Sequence, residues 1–177
     1  MDELPQMDEA GRVRMIEVGD KPPTWRQAIA ACRIKVGEKV FPLLLAGRLP
    51  KGEVWAAARL AGIMAAKNTA QIVPLCHPLP LTGVSVEFTP EPDHFSVVVQ
   101  AQVRAYARTG VEMEALTAAA AAALTIYDMC KAVDRGLVIQ DLQLLEKTGG
   151  VRGDYRSPFP TPSPAREQEI GHEPGPP

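Results

Sequence analysis

The sequence has few of the features that mark secreted or nucleic-acid-binding proteins. It holds three cysteines in 177 residues, and 21 acidic residues nearly balance 19 basic ones, for a net charge of −2. An odd, sparse set of cysteines (Cys32, Cys76 and Cys130) does not suit a disulfide scaffold, so we expect a reducing cytoplasm. Without an overall positive field, an anionic ligand must be held by a local group of cations, and we expect no nucleic-acid partner.

Long apolar runs are also missing. The N-terminus, MDELPQMDEAG, is acidic and has no apolar stretch of the kind found in a signal peptide. The longest nearly apolar run, residues 115–127, is too short and too rich in alanine to span a bilayer, so we expect no membrane association. A zinc site needs further His or Cys at fixed intervals beside His77, and only Cys32 and Cys130 remain, so we expect no metal.

What is present indicates one domain with tails. Hydrophobic residues make up 46% and charged residues 23%, which is ordinary for a globular protein. We expect a loose N-terminal arm at residues 1–10 and a single domain at 11–156. Residues 157–177 are rich in proline and polar residues and cannot bury enough apolar surface to offset the entropy of ordering, which predicts a disordered tail.

Three stretches in the first half of the domain predict helices. In PPTWRQAIAACRIKVG, Thr24 with Gln27 three residues later forms a capping box, which is typical of a helix start. The short apolar stretch EKVFPLLLAG predicts a second helix, and a third is expected from about Lys51 to Asn68.

The second half predicts strands around one long helix. GVSVEFTPEPDHFSVVVQAQVRAYA alternates apolar and polar residues on both sides of a Pro-Glu-Pro-Asp turn, including Phe95, and predicts a hairpin. The longest helix is expected to be capped by Thr109 with Glu112 and to end at Gly136, and LVIQDLQLLEKT predicts a last strand. The mixture predicts an α+β fold with helices on one face of the sheet.

The long helix carries a polar stripe that simple packing does not require. At 100° per residue, its few polar side chains and one alanine fall within one sector, namely Glu114, Thr117, Ala121, Thr125, Asp128 and Lys131. The stripe is expected to face a cleft or another subunit. The alternative is that Asp128 and Lys131 form an ion pair that only stabilises the helix end.

Four further stretches place polar groups outside the expected core. His77, in the proline-framed PLCHPLP, suits acid–base chemistry or ligand binding, although a lone histidine is more often structural. Lys51 and Gly52 at the expected helix start favour an anion such as phosphate. RAYARTGVEME sets Arg104 and Arg108 beside two glutamates. The glycine loop EKTGGVRGD is either an anion-binding nest or a flexible turn; its cations and glycines are Lys147, Gly149, Gly150, Arg152 and Gly153.

Several of these stretches together resemble one family. LCHPL, TGVEMEALTAA, ALTIYDMCKAV and the Lys-Thr-Gly-Gly loop are similar to the cyclic pyranopterin monophosphate synthases of molybdenum cofactor biosynthesis, over about residues 7–155. The resemblance implies a ferredoxin-like α+β subunit in a homo-hexamer, a trimer of dimers, with active sites between subunits. It implies conversion of 3′,8-cyclo-7,8-dihydro-GTP to cyclic pyranopterin monophosphate with release of pyrophosphate. It implies no required cofactor, and leaves open whether Mg²⁺ accompanies the triphosphate.

The resemblance also assigns roles to residues. It implies that the catalytic residues are Asp128, Lys131 and Lys51. The substrate-binding residues that it implies are Leu75, Cys76, His77, Glu112, Met113, Glu114 and Lys147. Two positions depart from the family pattern: Arg108 stands where relatives often carry lysine, and Pro50 stands where some carry histidine.

Two other classes of function stay open. A non-catalytic nucleotide-binding regulator would bind the triphosphate without releasing pyrophosphate. An assembly protein would use the polar stripe only as a subunit contact. If a neighbouring subunit completes each pocket, we expect Lys51 and Asp128 to come from different chains, with the Lys147 loop as the next candidate to cross the interface.

Overall fold

A five-stranded antiparallel sheet forms one layer of the protein. The computed structural model describes Met7, residues 10–151 and residues 153–158. The strands lie in the order β2-β3-β1-β4-β5; their bounds are β1 Thr24–Lys35, β2 Leu81–Glu91, β3 Ser96–Ala107, β4 Val138–Thr148 and β5 Tyr155–Arg156.

Helices form the second layer, on one face of the sheet. The longest helix packs on the three central strands, and the second helix packs on it and on β2. The helix bounds are α1 Gly37–Leu45, α2 Val54–Lys67, α3 Thr69–Ile72 and α4 Glu112–Cys130. The predicted α+β class, with helices on one face of an antiparallel sheet, is therefore confirmed, and the arrangement is consistent with a ferredoxin-like fold.

The helix predicted from Thr24 is wrong, because this segment is the central strand β1. It pairs with β3 on one side and β4 on the other. Even-numbered residues from Ala28 to Ile34 face the helices, and Ala31 is buried on the opposite face with Val98 and Leu145. A strand that is buried on one face and largely covered on the other shows weaker polar alternation than a half-exposed strand, and its alanines imitate a helix.

The predicted hairpin and last strand are confirmed, as is the short helix α1. A 3-10 turn at Pro92–His94 joins β2 to β3. Phe95 was expected to continue the strand alternation, but it lies in the turn with a left-handed backbone (φ 45°). Its carbonyl accepts hydrogen bonds from the amides of Val36 and Gly37, so the turn is tied to the start of α1.

Both long helices are shorter than the sequence predicts. Helix α2 begins at Val54, so Lys51 lies in the preceding turn. Helix α4 begins at Glu112 without a side-chain cap, and it ends at Cys130 rather than at Gly136. The predicted capping box is absent, because Val111 is the N-cap residue and Thr109 lies outside the helix. The Glu112 carboxylate pairs with Lys147 of β4.

Small residues let α4 lie close to its neighbours. Its alanines at 115, 118, 119, 122 and 123 are fully buried. On α2, a Cβ added at Gly62 would come within 3.0 Å of the Ala118 carbonyl oxygen and 2.9 Å of a Val86 methyl carbon. Close packing on alanine and glycine therefore fixes α4 in the core, and its two ends emerge at different places on the surface.

The expected arm and tail fall almost wholly outside the described residues, which stop at 158. The Ser157 amide still donates to the Leu145 carbonyl (2.7 Å), so contact with the sheet reaches the predicted start of the tail. Among the described helices, none has the length and apolar character needed to cross a bilayer.

Candidate active site

A cavity of about 670 Å³ opens at the N-terminal end of α4. Its walls come from the loop after α3, the first turn of α4, the end of β4 and the segment before β1. All seven residues predicted to bind substrate line it: Leu75, Cys76, His77, Glu112, Met113, Glu114 and Lys147. The fold thus brings together residues that are up to 72 positions apart in the sequence.

Glu114 is the buried acid of the cavity. Its side chain is held in the first turn of α4, and the residue is 4% exposed. Burial raises the pKa of its carboxyl from 4.5 to about 6, and the nearby charge of Glu112 adds to the rise. A carboxyl in this range exchanges protons near neutral pH, which suits general acid–base chemistry.

Cys76 lies beside this acid. Burial, followed by the charge of Glu114, raises the pKa of its thiol above the ordinary value. A thiol with a raised pKa is largely protonated near neutral pH and is a weak nucleophile. Cys76 therefore acts as a wall of the cavity rather than as a thiolate.

Lys147 brings a positive charge into the cavity from β4. Its Nζ lies 3.1 Å from a carboxylate oxygen of Glu112, and both side chains are about a quarter exposed. The ion pair joins the end of the sheet to the start of α4 across the cavity. An anionic ligand that enters the cavity can replace the Glu112 carboxylate as the partner of the Lys147 ammonium.

The glycine loop after β4 has a conformation that only glycine suits. Gly149 and Gly150 have φ values of 88° and 94°. A Cβ on Gly149 would collide with the Trp25 carbonyl, and one on Gly150 with the Arg26 guanidinium. The Gly149 amide donates to Asp154 Oδ1 at 3.1 Å, while Arg152 lies outside the described residues.

His77 is fixed by the backbone of the N-terminal segment. Its Nε2 lies 2.8 Å from the Ile16 carbonyl oxygen. A carbonyl only accepts hydrogen bonds, so Nε2 carries the hydrogen in this contact and Nδ1 is the acceptor of the neutral ring. The ring therefore has a defined orientation at the cavity wall.

The three residues predicted to be catalytic form a second cluster at the other end of α4. Asp128 Oδ2 lies 2.6 Å from Lys51 Nζ, and Oδ1 lies 2.7 Å from Lys131 Nζ. The Lys51 ammonium also donates to the Asp128 carbonyl oxygen at 2.9 Å. Hydrogen bonds from Lys131 and then Lys51 lower the pKa of the Asp128 carboxyl from 3.8 to about 2. Asp128 is therefore a carboxylate at neutral pH.

This geometry corrects the prediction that Lys51 and Asp128 come from different chains, because they meet within one chain. The two clusters themselves stay apart. Glu114 and Asp128 are fourteen positions apart on one helix, which corresponds to about 21 Å. The cavity and the Asp128 cluster do not form a single site in one chain.

Two cations of the cavity were not predicted. Lys21 and Arg26 both line it. Arg26 was missed because its segment was taken for a helix, whereas strand alternation around Ala28 would have placed it at the edge of the core. Of the two arginines expected near the glutamates, Arg108 lines the cavity. Arg104 instead donates from Nε to Gln27 Oε1 at 2.8 Å.

No group of three or more His, Cys, Asp or Glu suited to a metal occurs within the described part of the chain. Of the two glutamates that line the cavity, Glu112 pairs with Lys147 and Glu114 is buried.

Comparison with known proteins shows the family of this chain. The family model described as MoaC matches residues 15–150. A protein of Pelotomaculum thermopropionicum is 52% identical over 155 residues, covering 88% of this chain and 91% of the relative. A protein of Herpetosiphon aurantiacus is 53% identical over 156 residues, covering 88% and 95%. Both relatives are named cyclic pyranopterin monophosphate synthase. The region matched by the family model contains the Asp128 cluster and every described residue of the cavity lining except Val151. The chain belongs to the MoaC family.

Proposed function

We propose that the protein converts 3′,8-cyclo-7,8-dihydro-GTP to cyclic pyranopterin monophosphate and releases pyrophosphate, as a lyase of molybdenum cofactor biosynthesis. The observation that carries the proposal is the cavity, which gathers all seven expected substrate-binding residues around a buried acid. Its volume, about 670 Å³, lies in the range of small-molecule sites. Family membership and the names of the relatives support the same reaction.

The reaction requires proton transfers and control of a growing negative charge. The purine-derived ring opens and is rebuilt as a pterin, and a cyclic phosphate then closes as pyrophosphate leaves. Glu114, whose carboxyl has a pKa of about 6, is suited to take and return a proton. Lys147 supplies positive charge for the triphosphate within the same cavity.

Asp128 positions positive charge rather than donating a proton. With a carboxyl pKa of about 2, it is ionised and donates no proton near neutral pH. It holds the ammonium groups of Lys51 and Lys131 side by side within 2.7 Å of its oxygens. Together they form a preorganised charge cluster, in which the lysines are the groups free to donate hydrogen bonds to a substrate.

A complete site then requires two chains. One chain separates the cavity from the Asp128 cluster by most of the length of α4. We propose that the Asp128 cluster of one subunit faces the cavity of a neighbour in a homo-hexamer, a trimer of dimers. This arrangement explains why the charge cluster is about half exposed in a single chain.

The proposal includes no protein-bound cofactor; any Mg²⁺ would enter with the triphosphate as part of the substrate. We also propose a cytoplasmic location, since Cys32, Cys76 and Cys130 are all free thiols.

The decisive experiment is a pyrophosphate-release assay with enzymatically made 3′,8-cyclo-7,8-dihydro-GTP. We expect stoichiometric pyrophosphate and a pterin product, and loss of both in Lys147→Met. A non-catalytic nucleotide-binding regulator would bind the same compound but release no pyrophosphate. Tight binding without release would therefore refute the proposed reaction and support the regulator.

A further inference from the structure

One wall of the cavity is a segment without helix or strand. Ile16, Val18 and Lys21 of this segment line the cavity, directly before β1 begins. None of the side chains from 10 to 23 is fully buried, and the most protected of them, Ile16, Val18 and Pro23, are half-buried. A segment with so little apolar anchoring depends on polar contacts for its position.

Two side chains of the domain hold the backbone of this segment. His77 bonds the Ile16 carbonyl, and the Arg108 guanidinium donates from Nη1 to the Gly19 carbonyl. The segment also folds into a turn of its own around Gly19: the Lys21 amide donates to the Val18 carbonyl (3.2 Å), and the Gly19 amide donates to Glu17 Oε1 (2.6 Å). The domain therefore holds this small folded unit at two points, just before the turn at Ile16 and within it at Gly19.

Arg108 is itself braced from β1. Arg26 donates from Nε to the Ala107 carbonyl (3.3 Å) and from Nη2 to the Arg108 carbonyl (3.4 Å). The same guanidinium occupies the space beside Gly150 that a Cβ would need. The Arg26 and Arg108 pair therefore connects two loop borders of the cavity, the segment before β1 and the glycine loop after β4.

We infer that residues 16–22 form a strap that closes one side of the cavity over the substrate, and that Arg108 is the positioning residue that holds this strap. The inference rests on the proposed function for what the cavity binds, but the contacts that hold the strap do not depend on it. A strap that covers the substrate, without contacting the reacting atoms, stabilises the bound substrate and the transition state equally. Their loss should therefore weaken substrate binding without slowing the chemistry.

A matched set of variants separates this role from others. Arg108→Met keeps the aliphatic stem and removes the donor, whereas Arg108→Lys keeps one charged donor for the Gly19 carbonyl. Arg104→Ala is the control for strap mobility, because it removes an arginine of β3 whose guanidinium bonds Gln27 instead. Hydrogen–deuterium exchange of peptides covering residues 16–22 measures the strap directly, and turnover of the cyclised GTP derivative gives KM and kcat.

In Arg108→Met we expect exchange across 16–22 to rise about tenfold, the size of one charge-assisted hydrogen bond. We expect KM to rise by about the same factor with kcat within about twofold of wild type. Arg108→Lys should restore most of both, and Arg104→Ala should leave strap exchange at the wild-type rate.

Other outcomes overturn the inference. Unchanged exchange in Arg108→Met would show that Arg108 does not hold the strap, and faster exchange with unchanged KM would show that the strap does not close on substrate. A fall in kcat with KM unchanged would place Arg108 in the chemistry. A wild-type protein that releases no pyrophosphate would refute the proposed reaction, whereas the exchange comparison would still decide whether Arg108 holds the strap.

Discussion

Glu114→Gln is expected to make the protein more stable at neutral pH and less active. The wild-type carboxyl is buried, and its pKa is raised from 4.5 to about 6. Between pH 4.5 and about 6, the native state therefore holds a proton that the unfolded chain has already released. The contribution of this proton to the free energy of unfolding is complete below pH 4.5. It falls as pH rises through this window and is lost above about pH 6.

The size of the effect follows from the two pKa values. The difference between 4.5 and about 6 corresponds to about 2 kcal/mol of unfolding free energy at neutral pH. Glutamine imitates the neutral acid in size and shape and does not titrate. The variant should thus match wild type below pH 4.5 and exceed it by up to about 2 kcal/mol above pH 6.

Denaturant unfolding across this pH range, at one protein concentration, measures the difference. Glu38→Gln is the matched control, because Glu38 is exposed in the first turn of α1 and its replacement should give no such pH-dependent gain. A stability difference that is independent of pH, or a loss at neutral pH, would contradict the assignment of Glu114 as a buried acid. Activity should fall about 10²-fold or more, as for removal of a general acid or base.

Three further predictions concern the other parts of the molecule. Asp128→Asn should leave folding and assembly near wild type but reduce pterin formation about 10²-fold or more, because two ammonium groups lose the carboxylate that holds them; turnover within a few-fold of wild type in an assembled variant would contradict this role. Gly149→Ala should disturb the loop beside Lys147 and raise KM, because a Cβ would meet the Trp25 carbonyl. Gly153→Ala, with open space around it, should raise KM less. Equal KM values for the two variants would refute the steric argument. Deleting residues after 158 should leave oligomeric state and activity intact, as measured by size-exclusion chromatography and pyrophosphate release; loss of either would show that the tail contributes to the folded protein.

The fold class was predictable because most elements carry local patterns. The hairpin alternates clearly, and the alanine-rich helix α4 has a long apolar surface. Strand β1 was not predictable in this way, since both of its faces are largely covered and its identity depends on partners that lie about sixty or more positions later. A helix-like run of alanines and a plausible capping box at Thr24 were overridden by pairing in the centre of the sheet.

The membership of the cavity was predictable from motif resemblance, but its electrostatics were not. The sequence gives no measure of burial, so it could not separate Glu114, with a raised pKa, from Asp128, with a lowered one. Nor could it show that Lys51 meets Asp128, because the contact joins a turn to the end of a distant helix. Lys21 and Arg26 were missed for a similar reason, since neither forms a motif by itself.

Subunit mixing tests the central claim that each active site combines the cavity of one chain with the Asp128 cluster of another. Inactive Lys147→Met subunits would be mixed with an equal amount of inactive Asp128→Asn subunits, dissociated and reassembled at random, with different tags to show that mixed oligomers form. The claim predicts recovery of pyrophosphate release in about a quarter of the sites, since each site draws its two halves from separate chains. Lys51→Ala mixed with Asp128→Asn should recover nothing, because those residues share one cluster within one chain. Mixed oligomers of the first pair that stay as inactive as their parents would contradict the shared site.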